Sequence, residues 1–229
     1  MNTLVIGLGE IGRTLLAILQ ETYPAWGRDI IEHFEGIQPE IMHICFPYDE
    51  RFTKSVLAYQ EQYKPRYTVV HSTVPVGTCR LLRATHSPFR GKHYEMEKSM
   101  RNYVKFVGGI HAYAVGNYLL RAGIPVYICE KSETTELAKL LETTYFGVVV
   151  EYAKAAERLC EKHDVPFSEA YTLFLKTLNE GIEKYGFNHP VMPVMVPIKE
   201  RIGGHCVLPN CDLIEFQFAE LIRKLNEQE

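Results

Sequence analysis

The sequence lacks the features that mark several classes of protein. Its six cysteines include no CxxC pair, which argues against a zinc ribbon or a disulfide framework. No run of basic residues appears and the formal net charge is -3, so charge does not predict nucleic-acid binding. No apolar run approaches the roughly 18 residues of a membrane span, and no basic region precedes the first apolar stretch. We expect a soluble cytoplasmic protein with reduced thiols and neither a membrane nor a nucleic-acid partner.

A metal centre is not expected either. His205, Cys206 and Cys211 are close in sequence, but no second pair of ligands has the spacing of a zinc site. Histidines in or beside apolar runs are more often packed and hydrogen-bonded than ligands. We expect this of three of them: His43, His71 and His86.

The first half of the chain alternates short apolar runs with helical segments. This alternation predicts an α/β fold, a Rossmann-type doubly wound parallel sheet with helices on both faces. The helical segments are predicted at 11–21 and 50–63, and the strands at 3–6, 41–46, 67–71, 84–87, 104–107 and 126–129.

The pattern changes near residue 131. From about Glu133 to His163 the chain has almost no helix breakers, and a second helix near 168–185 and a short terminal helix follow. We predict a dinucleotide-binding domain at 1–131 and a smaller all-helical domain at 132–229, connected by the long helix. Because the apolar residues of that helix need a cover, a homodimer is expected.

The most specific motif is the glycine turn at Gly7, Gly9 and Gly12, which follows a predicted strand and opens a helix. The first glycine makes the tight turn, the second lets the backbone approach a pyrophosphate, and the third lets the helix pack on the strand. The helix N-terminus, at Glu10 and Ile11, offers N–H groups and a positive dipole end to phosphates. The motif predicts NAD as the cofactor.

An acidic residue about 20 positions after the turn is expected to hold the adenosine ribose. Asp29 lies at a suitable distance, although the strand before it is weak. Glu32 and Glu35 are therefore alternatives. Arg28 leaves a preference for a 2′-phosphate, and hence NADP, open.

Residues with hydroxyl and amine groups form the next candidates. Ser72 and Thr73 follow a predicted strand, at the end where open α/β sheets bind ligands, and are suited to orienting a substrate or water. A helix N-cap before Pro75 is the alternative. Lys139 on the long helix is suited to acid–base catalysis or oxyanion stabilisation, although a lone lysine on a helix is usually only solvated.

A further segment, 201–210, contains Gly203, Gly204, His205 and Cys206. Paired glycines allow close backbone approach, and a thiolate beside an imidazole can be an activated nucleophile. A buried structural cysteine is the alternative interpretation of Cys206.

The order of these segments resembles the nucleotide-sugar 6-dehydrogenase family, which includes UDP-glucose, UDP-N-acetylmannosamine and GDP-mannose dehydrogenases. The resemblance covers nearly the whole chain. It rests on the glycine turn and on four further segments: 72–77, Ser87-Pro88, 136–140 and 203–206. In that family an NAD-binding domain is joined to a helical domain through a long helix, which also builds the dimer.

The family resemblance implies a role for each matching residue. Cys206 would be the nucleophile that takes an aldehyde as a thiohemiacetal, which a second hydride transfer converts to a thioester that water hydrolyses. Lys139 would be the oxyanion-stabilising or acid–base lysine, and Thr73 would position the hydrolytic water. Ser72 and Thr73 are expected beside the cofactor. The substrate is expected to contact Arg90, Lys139, Arg201, Gly204 and His205.

Several positions depart from the family pattern. Phe89 and His93 stand where the family has two glutamates, Thr143 replaces an asparagine, and Asn210 replaces an aspartate. His93 is a candidate replacement base, because a neutral imidazole accepts protons near pH 7. Arg90 is a candidate for binding an anionic substrate group through two hydrogen bonds.

Three functions are compatible with these observations. The first is an NAD(P)-dependent oxidoreductase that oxidises an alcohol of a sugar-like or hydroxy-acid substrate, supported by Lys139, Thr73 and Cys206. The second is a dinucleotide-binding protein without turnover, a sensor or an assembly partner. The missing glutamates favour it, as does the family's nucleotide-binding domain, which we expect to be absent because the sequence ends at Glu229. The third is a single-step alcohol dehydrogenase in which Lys139 acts and Cys206 is structural.

Overall fold

The structure, a computed structural model, describes residues 1–29, 38–186, 191–204 and 206–227, and of His93 the backbone alone. Contacts between Cα atoms divide the chain into two compact units, Met1–Lys139 and Leu140–Glu229. The division falls inside one long helix, whose first residue is Ser132. The domain boundary predicted near residue 131 lies at the start of this helix.

The first unit contains a seven-stranded sheet. Four-residue runs form most of its strands, and in three of them every residue is buried, as expected for strands covered on both faces. In chain order the strands are β1 (Thr3–Ile6), β2 (Ala25–Arg28), β3 (Ile41–Ile44), β4 (Tyr67–Val70), β5 (Thr85–His86), β6 (Lys105–Gly109) and β7 (Val126–Cys129). Their spatial order is β2-β1-β3-β4-β5-β6-β7. β2 lies on one side of β1 and β3 lies on the other, so a topological switch point lies between β1 and β3.

Helices cover both faces of this sheet, and their bounds are α1 (Glu10–Gln20), α2 (Phe52–Tyr63), α3 (Thr78–Leu81), α4 (Met96–Asn102) and α5 (Ala112–Arg121). On one face Leu15 and Leu119 pack against strand residues such as Val5. On the other face Phe52 and Val56 pack against Leu4 and Met42. The predicted α/β fold with helices on both faces is confirmed.

Two strands, β6 and β7, run in the direction that the sequence pattern did not predict. β6 pairs antiparallel with β5, with Thr85 opposite Gly109 and His86 opposite Gly108, whereas the other neighbouring pairs are parallel. The connection between β5 and β6 therefore begins and ends at the same edge of the sheet. The first residue of β6, Lys105, consequently lies at the edge where β1 to β5 end. We call this the carboxyl edge.

The second unit is helical, as predicted. It contains the remainder of α6 (Ser132–Lys162), a π-helical turn (Ser168–Leu173), α7 (Phe174–Tyr185), α8 (Leu208–Cys211) and α9 (Gln217–Glu227). Its core joins α6, α9 and the segment before α8 through Val150, Ile202, Val207 and Ile222. Gly147 permits this approach, because a Cβ there would lie 2.8 Å from a methyl carbon of Val207. No helix in the described ranges has the length and apolar character needed to cross a membrane.

Candidate functional site

The glycine turn after β1 divides its three glycines into two that are packed and one that faces open space. Gly7 has φ +91°, and a Cβ there would lie 2.7 Å from the backbone nitrogen of Phe46. A Cβ on Gly12 would lie 1.8 Å from the carbonyl oxygen of Gly7. A Cβ on Gly9 would meet nothing within 4 Å. Gly7 and Gly12 therefore hold the turn together, while Gly9 keeps backbone accessible where a pyrophosphate is expected.

The N-terminus of α1 presents backbone N–H groups as hydrogen-bond donors. Gly9 is its N-cap and supplies no side-chain hydrogen bond, and the first intrahelical bond runs from the Arg13 N–H to the Gly9 carbonyl. A bound anion would accept hydrogen bonds from the backbone N–H groups of Glu10 and Ile11, in the first turn of the helix. A cradle of this kind at a switch point fits the phosphates of a dinucleotide.

Asp29 follows β2 directly and faces the glycine turn. Its Oδ2 accepts a hydrogen bond from the Leu8 N–H at 2.8 Å. Arg28 turns towards α2, where its guanidinium lies 5.1 Å from the Tyr59 ring centroid and donates to the Tyr63 hydroxyl. The carboxylate that would hold a ribose is therefore beside the turn. The two alternatives, Glu32 and Glu35, lie outside the described residues.

The loop after β4 is fixed from two sides. The Ser72 hydroxyl donates to the carbonyl of Phe46, in the loop after β3. The fully buried carboxylate of Glu136, on α6, accepts the N–H groups of Gly77 at 2.6 Å and Cys79 at 2.7 Å. These two N–H groups lie at the start of α3, so Glu136 caps that helix. The predicted N-cap alternative for Ser72 and Thr73 is wrong, because α3 begins at Thr78 with Gly77 as its N-cap.

Thr73 lies within this fixed loop. It is partly exposed, and no hydrogen bond joins its hydroxyl to the described part of the chain. The hydroxyl is thus available to water or substrate at the carboxyl edge, where the sequence predicted it.

Lys139 lies one turn after Glu136 on α6 and is partly buried. Burial chiefly, with the Lys139 charge as a smaller cause, lowers the pKa of both His86 and Lys105. The lysine singled out from the sequence therefore follows, by one turn, the residue that bonds α6 to the loop after β4.

Three buried histidines line the interior behind this edge. His71 Nδ1 donates to the Ser87 carbonyl at 2.7 Å, so its Nε2 accepts from His43 Nδ1 at 2.8 Å. His86 Nε2 donates to the Ser72 carbonyl at 3.1 Å. Burial lowers the pKa of His43 and of His86 to about 3 and that of His71 well below its usual value. The prediction of packed, hydrogen-bonded histidines is confirmed.

Lys105 is the residue of this edge that sequence reasoning missed. It is 5% exposed, and its Nζ donates to the Pro88 carbonyl at 3.0 Å. Burial and the nearby Lys139 charge lower its pKa to about 7, whereas Cys45 acts in the opposite direction. The available signal was a lysine inside the apolar run Val104–Val107, which was interpreted only as a strand.

Arg90 and His93 lie in the connection between β5 and β6. The Arg90 guanidinium lies 5.4 Å from the Phe106 ring centroid, and its Nη1 is 3.5 Å from the Val104 carbonyl. With Lys105 it lines a small pocket that also includes Phe89, Ser99, Met100 and Tyr103. The His93 backbone begins a single 3-10 turn, and its side chain lies outside the described part.

The second unit holds the candidate nucleophile. Cys206 is partly exposed and follows Gly204, which has φ +79°. Arg201 is exposed and donates to the Glu227 carbonyl at 3.3 Å. Cys211 is buried, and burial raises the pKa of its thiol. His205 lies outside the described residues.

Within the described ranges, no three histidine, cysteine, aspartate or glutamate side chains are grouped as metal ligands would be. The candidate chemistry of the first unit thus comes from amines, hydroxyls and imidazoles at the carboxyl edge, beside the glycine turn.

Comparison with known proteins gives matches at the level of structure. No family model and no curated protein sequence matches this chain. The structure is similar to UDP-D-ManNAc dehydrogenase from Pyrococcus horikoshii, with a TM-score of 0.80 and 19% identity over 100% of this chain and 68% of that one. It is similar to 3-hydroxyisobutyrate dehydrogenase from Mycobacterium tuberculosis, with a TM-score of 0.69 and 14% identity over 100% and 93% of the two chains.

A third match is GDP-mannose dehydrogenase from Pseudomonas aeruginosa, with a TM-score of 0.64 and 12% identity over 99% of this chain and 65% of that one. The fold of this chain is therefore the fold of the N-terminal two thirds of sugar-nucleotide dehydrogenases. Nearly the whole length of a hydroxy-acid dehydrogenase shares it.

Proposed function

We propose that this chain is an NAD(P)-dependent oxidoreductase that oxidises an alcohol of a sugar-like or hydroxy-acid substrate. The observation that carries the proposal is the open face of Gly9 at the switch point, with the Asp29 carboxylate bonded to Leu8 beside it. The structural neighbours named as UDP-D-ManNAc, GDP-mannose and 3-hydroxyisobutyrate dehydrogenases support both substrate classes.

The residues present fit a dinucleotide. The first-turn N–H groups of α1 would bind the phosphates, Asp29 the ribose hydroxyls, and Ser72 and Thr73 would lie beside the nicotinamide end. Because a carboxylate repels a 2′-phosphate, Asp29 favours NAD over NADP. When bound, the dinucleotide supplies the acceptor for a hydride.

Lys139 is the proposed acid–base group. During oxidation the carbinol C–H bond breaks and its electron pair leaves with the hydrogen as hydride. The O–H bond breaks as well, its proton passes to Nζ of Lys139, and a C=O bond forms. Glu136 holds Lys139 in place, since its carboxylate bonds α6 to the loop that carries Thr73.

A second oxidation through Cys206 is a further candidate step, favoured by the partial exposure of this thiol after Gly204. As its sulfur forms a C–S bond to the aldehyde carbon, the C=O π bond breaks and the thiol proton passes to the aldehyde oxygen. The adduct would then lose a second hydride, for which a second bound dinucleotide would supply the acceptor, and its hydroxyl proton, which leaves a thioester. Water would add to the thioester carbon, the C–S bond would break, and a carboxylate and the thiol would result. In this step Thr73 orients the water, and His93 and Arg90 take the base and anion-binding roles.

The test begins with binding. Calorimetric titration with NAD and NADP measures affinity, and NADH formation is then followed with UDP-N-acetylmannosamine, GDP-mannose, UDP-glucose, 3-hydroxyisobutyrate and L-serine. We expect NAD to bind and at least one alcohol to be oxidised, and Lys139→Met to lower kcat by about 100-fold. NAD binding without turnover of any of these compounds would leave a dinucleotide-binding protein as the function.

The two oxidation routes give different stoichiometries. A two-step reaction forms two NADH for each substrate consumed, and Cys206→Ser should reduce this ratio to one or abolish turnover. Cys160→Ser is the matched control, because Cys160 is also partly exposed but lies on α6. It should leave the ratio unchanged. A ratio of one in the unaltered protein would assign it single-step chemistry.

A further inference from the structure

The chain just before the glycine pair of the second unit is tied to two helices. Lys154 of α6 is buried, and its Nζ donates to the Glu200 carbonyl at 3.2 Å. Asn226 of α9 is also buried, and its Oδ1 accepts the Ile202 N–H. The Ile202 side chain is itself buried in the core of this unit. The main chain is therefore held at two points before it reaches Gly203.

The chain after the glycine pair is fixed again, and the part between is not packed at its glycines. Val207 is buried in the same core, and Cys206 directly precedes it. A Cβ on Gly203 or on Gly204 would meet no described atom within 4 Å, and Gly204 has φ +79°. The position of the Cys206 thiol consequently depends on where the two ends of this short loop are held.

Lys154 is held in turn by a second buried charge. Its Nζ lies 3.3 Å from Oε1 of Glu151, one turn earlier on α6. Oε2 of Glu151 is buried too, and no hydrogen bond reaches it from the described residues. An ion pair that is desolvated and incompletely hydrogen-bonded commonly contributes no more stability than two apolar side chains of similar size. The bond that Lys154 adds, and an apolar side chain cannot, is the one to the Glu200 carbonyl.

We propose that Glu151 and Lys154 are positioning residues, which hold the loop before Cys206 so that its thiol is presented to the aldehyde in the second oxidation. The inference rests on the proposed function, and within it on the Cys206 route. Lys154 acts through the main chain, because its Nζ bonds the Glu200 carbonyl upstream of the thiol. Glu151 acts through Lys154, as the acceptor and counter-charge of its ammonium group.

A positioning role separates the two oxidation steps. The first oxidation uses Lys139 and leaves the Cys206 thiol unused, whereas the second requires a bond from that sulfur to the aldehyde carbon. Loss of the Lys154 bond should therefore slow the second step and let the aldehyde accumulate. General destabilisation would instead reduce the amount of folded protein and lower both steps in the same proportion.

The test variant carries Glu151→Leu and Lys154→Met together, because removing one partner alone would leave an unpaired buried charge. A matched variant, Glu151→Leu with Lys154→Gln, is also neutral but carries an amide N–H that can donate to the Glu200 carbonyl. Stability is measured by urea unfolding followed by helical circular dichroism, and we expect both variants to be at least as stable as the unaltered protein. An unfolded test variant would mean that the pair stabilises the fold, and would refute the positioning role.

The first readout needs neither cofactor nor substrate. The rate at which iodoacetamide alkylates Cys206 is measured by mass spectrometry, with Cys160 of α6, another partly exposed thiol, as the internal reference. A loosened loop should expose the thiol, so the Cys206 rate should rise by about tenfold in the test variant and return towards the original in the matched variant. The Cys160 rate should change by less than about twofold. A Cys206 rate that the test variant leaves unchanged would overturn the proposal.

The second readout is the product ratio with whichever alcohol of the panel is oxidised. The unaltered protein should form two NADH for each substrate consumed. In the test variant the first NADH should still form within about twofold of the original rate, while the ratio falls towards one and the aldehyde accumulates. The matched variant should recover the ratio, and a proportionate loss of both steps in the test variant contradicts the proposal. A ratio of one, or no turnover, in the unaltered protein refutes the Cys206 route instead and leaves the alkylation rates to decide whether the pair holds the loop.

Discussion

The carboxylate of Glu136 accepts the backbone N–H of Gly77 at 2.6 Å and so bonds the start of α6 to the loop after β4. This side chain is fully buried, and its other oxygen accepts the Cys79 N–H. Glu136→Gln should therefore lower the free energy of unfolding by about 1–3 kcal/mol, because an amide NH2 would face a backbone donor. It should lower turnover as well, since Lys139 lies one helical turn away.

Urea unfolding followed by the fluorescence of Trp26, the sole tryptophan of the chain, measures this effect in the first unit. Glu133→Gln is the matched control, because Glu133 pairs with Arg80 near the surface and such pairs contribute about 0–1 kcal/mol. Equal losses in both variants would contradict the capping role of Glu136.

The glycine turn predicts opposite behaviour for two alanine substitutions. Gly12→Ala should destabilise the first unit strongly or prevent its folding, since its Cβ would overlap the Gly7 carbonyl oxygen at 1.8 Å. Gly9→Ala should leave stability within about 1 kcal/mol but weaken NAD binding by tenfold or more, by about 1.4 kcal/mol, because the methyl group occupies the open face. Calorimetric binding and urea unfolding separate the two. A Gly9→Ala protein that binds NAD normally would place the pyrophosphate elsewhere.

Asp29 predicts the choice of cofactor. Asp29→Asn retains an acceptor for the Leu8 N–H but removes the negative charge, so the affinity ratio of NAD to NADP should fall by about tenfold. Asp49→Asn, at an exposed carboxylate that pairs with Arg51, should not change the ratio. Tighter binding of NADP than NAD by the unaltered protein would show that Arg28 leaves the Tyr59 and Tyr63 rings to meet the 2′-phosphate.

The three buried histidines predict acid sensitivity. Their imidazoles are neutral in the folded protein down to about pH 3 for His43 and His86, but bind protons below about pH 6.5 when unfolded. The unfolded state then holds more protons, so stability is present above pH 6.5 and is lost as the pH falls, by up to about 1.4 kcal/mol per pH unit for each imidazole. Urea midpoints from Trp26 fluorescence at pH 7.5, 6 and 5 measure this loss. His163→Gln, at an exposed position, should not alter it, and a flat profile would mean that the imidazoles are solvated.

Lys105→Met is predicted to stabilise the first unit. An apolar side chain of similar length removes the cost of keeping a desolvated ammonium group, so the free energy of unfolding should rise near and below pH 7. The pKa of Lys105 is lowered to about 7 in the folded protein, so between about pH 7 and 10.5 the unfolded state binds the additional proton and the unaltered protein becomes more stable as the pH rises. The advantage of the variant should shrink over the same range. An advantage that grows with pH would indicate a paired, charged Lys105.

The sequence predicted the elements whose signals are local. Periodicity placed β1 at Thr3–Ile6 and β7 at Val126–Cys129, and the glycine spacing located the turn between β1 and α1. Strand β2 was weak in the sequence because Ala25–Arg28 contains no β-branched residue. It forms through parallel pairing with β1, and Gly27 is required there since a Cβ would lie 2.8 Å from side chains of Leu8 and Leu16.

The features that were missed depend on long-range arrangement. Alternation of apolar runs does not encode the direction of a strand, so the reversal of β6 was invisible, and with it the position of Lys105. The bond from Glu136 to Gly77 joins residues 59 positions apart, and no spacing rule connects them. Lys139 was found through a family resemblance, since a single lysine on a helix carries no signal of its own.

The reversal of β6 also bears on how this edge can be altered. Reactive groups at such edges usually sit on loops, where a substitution can shift the backbone that carries them. Residue 105 instead belongs to a strand, where it lies opposite Val126 of β7 and its N–H donates to the Pro125 carbonyl. Position 105 therefore allows side chains of different chemistry to be substituted and compared at this edge while the hydrogen-bonded main chain of β6 stays in place.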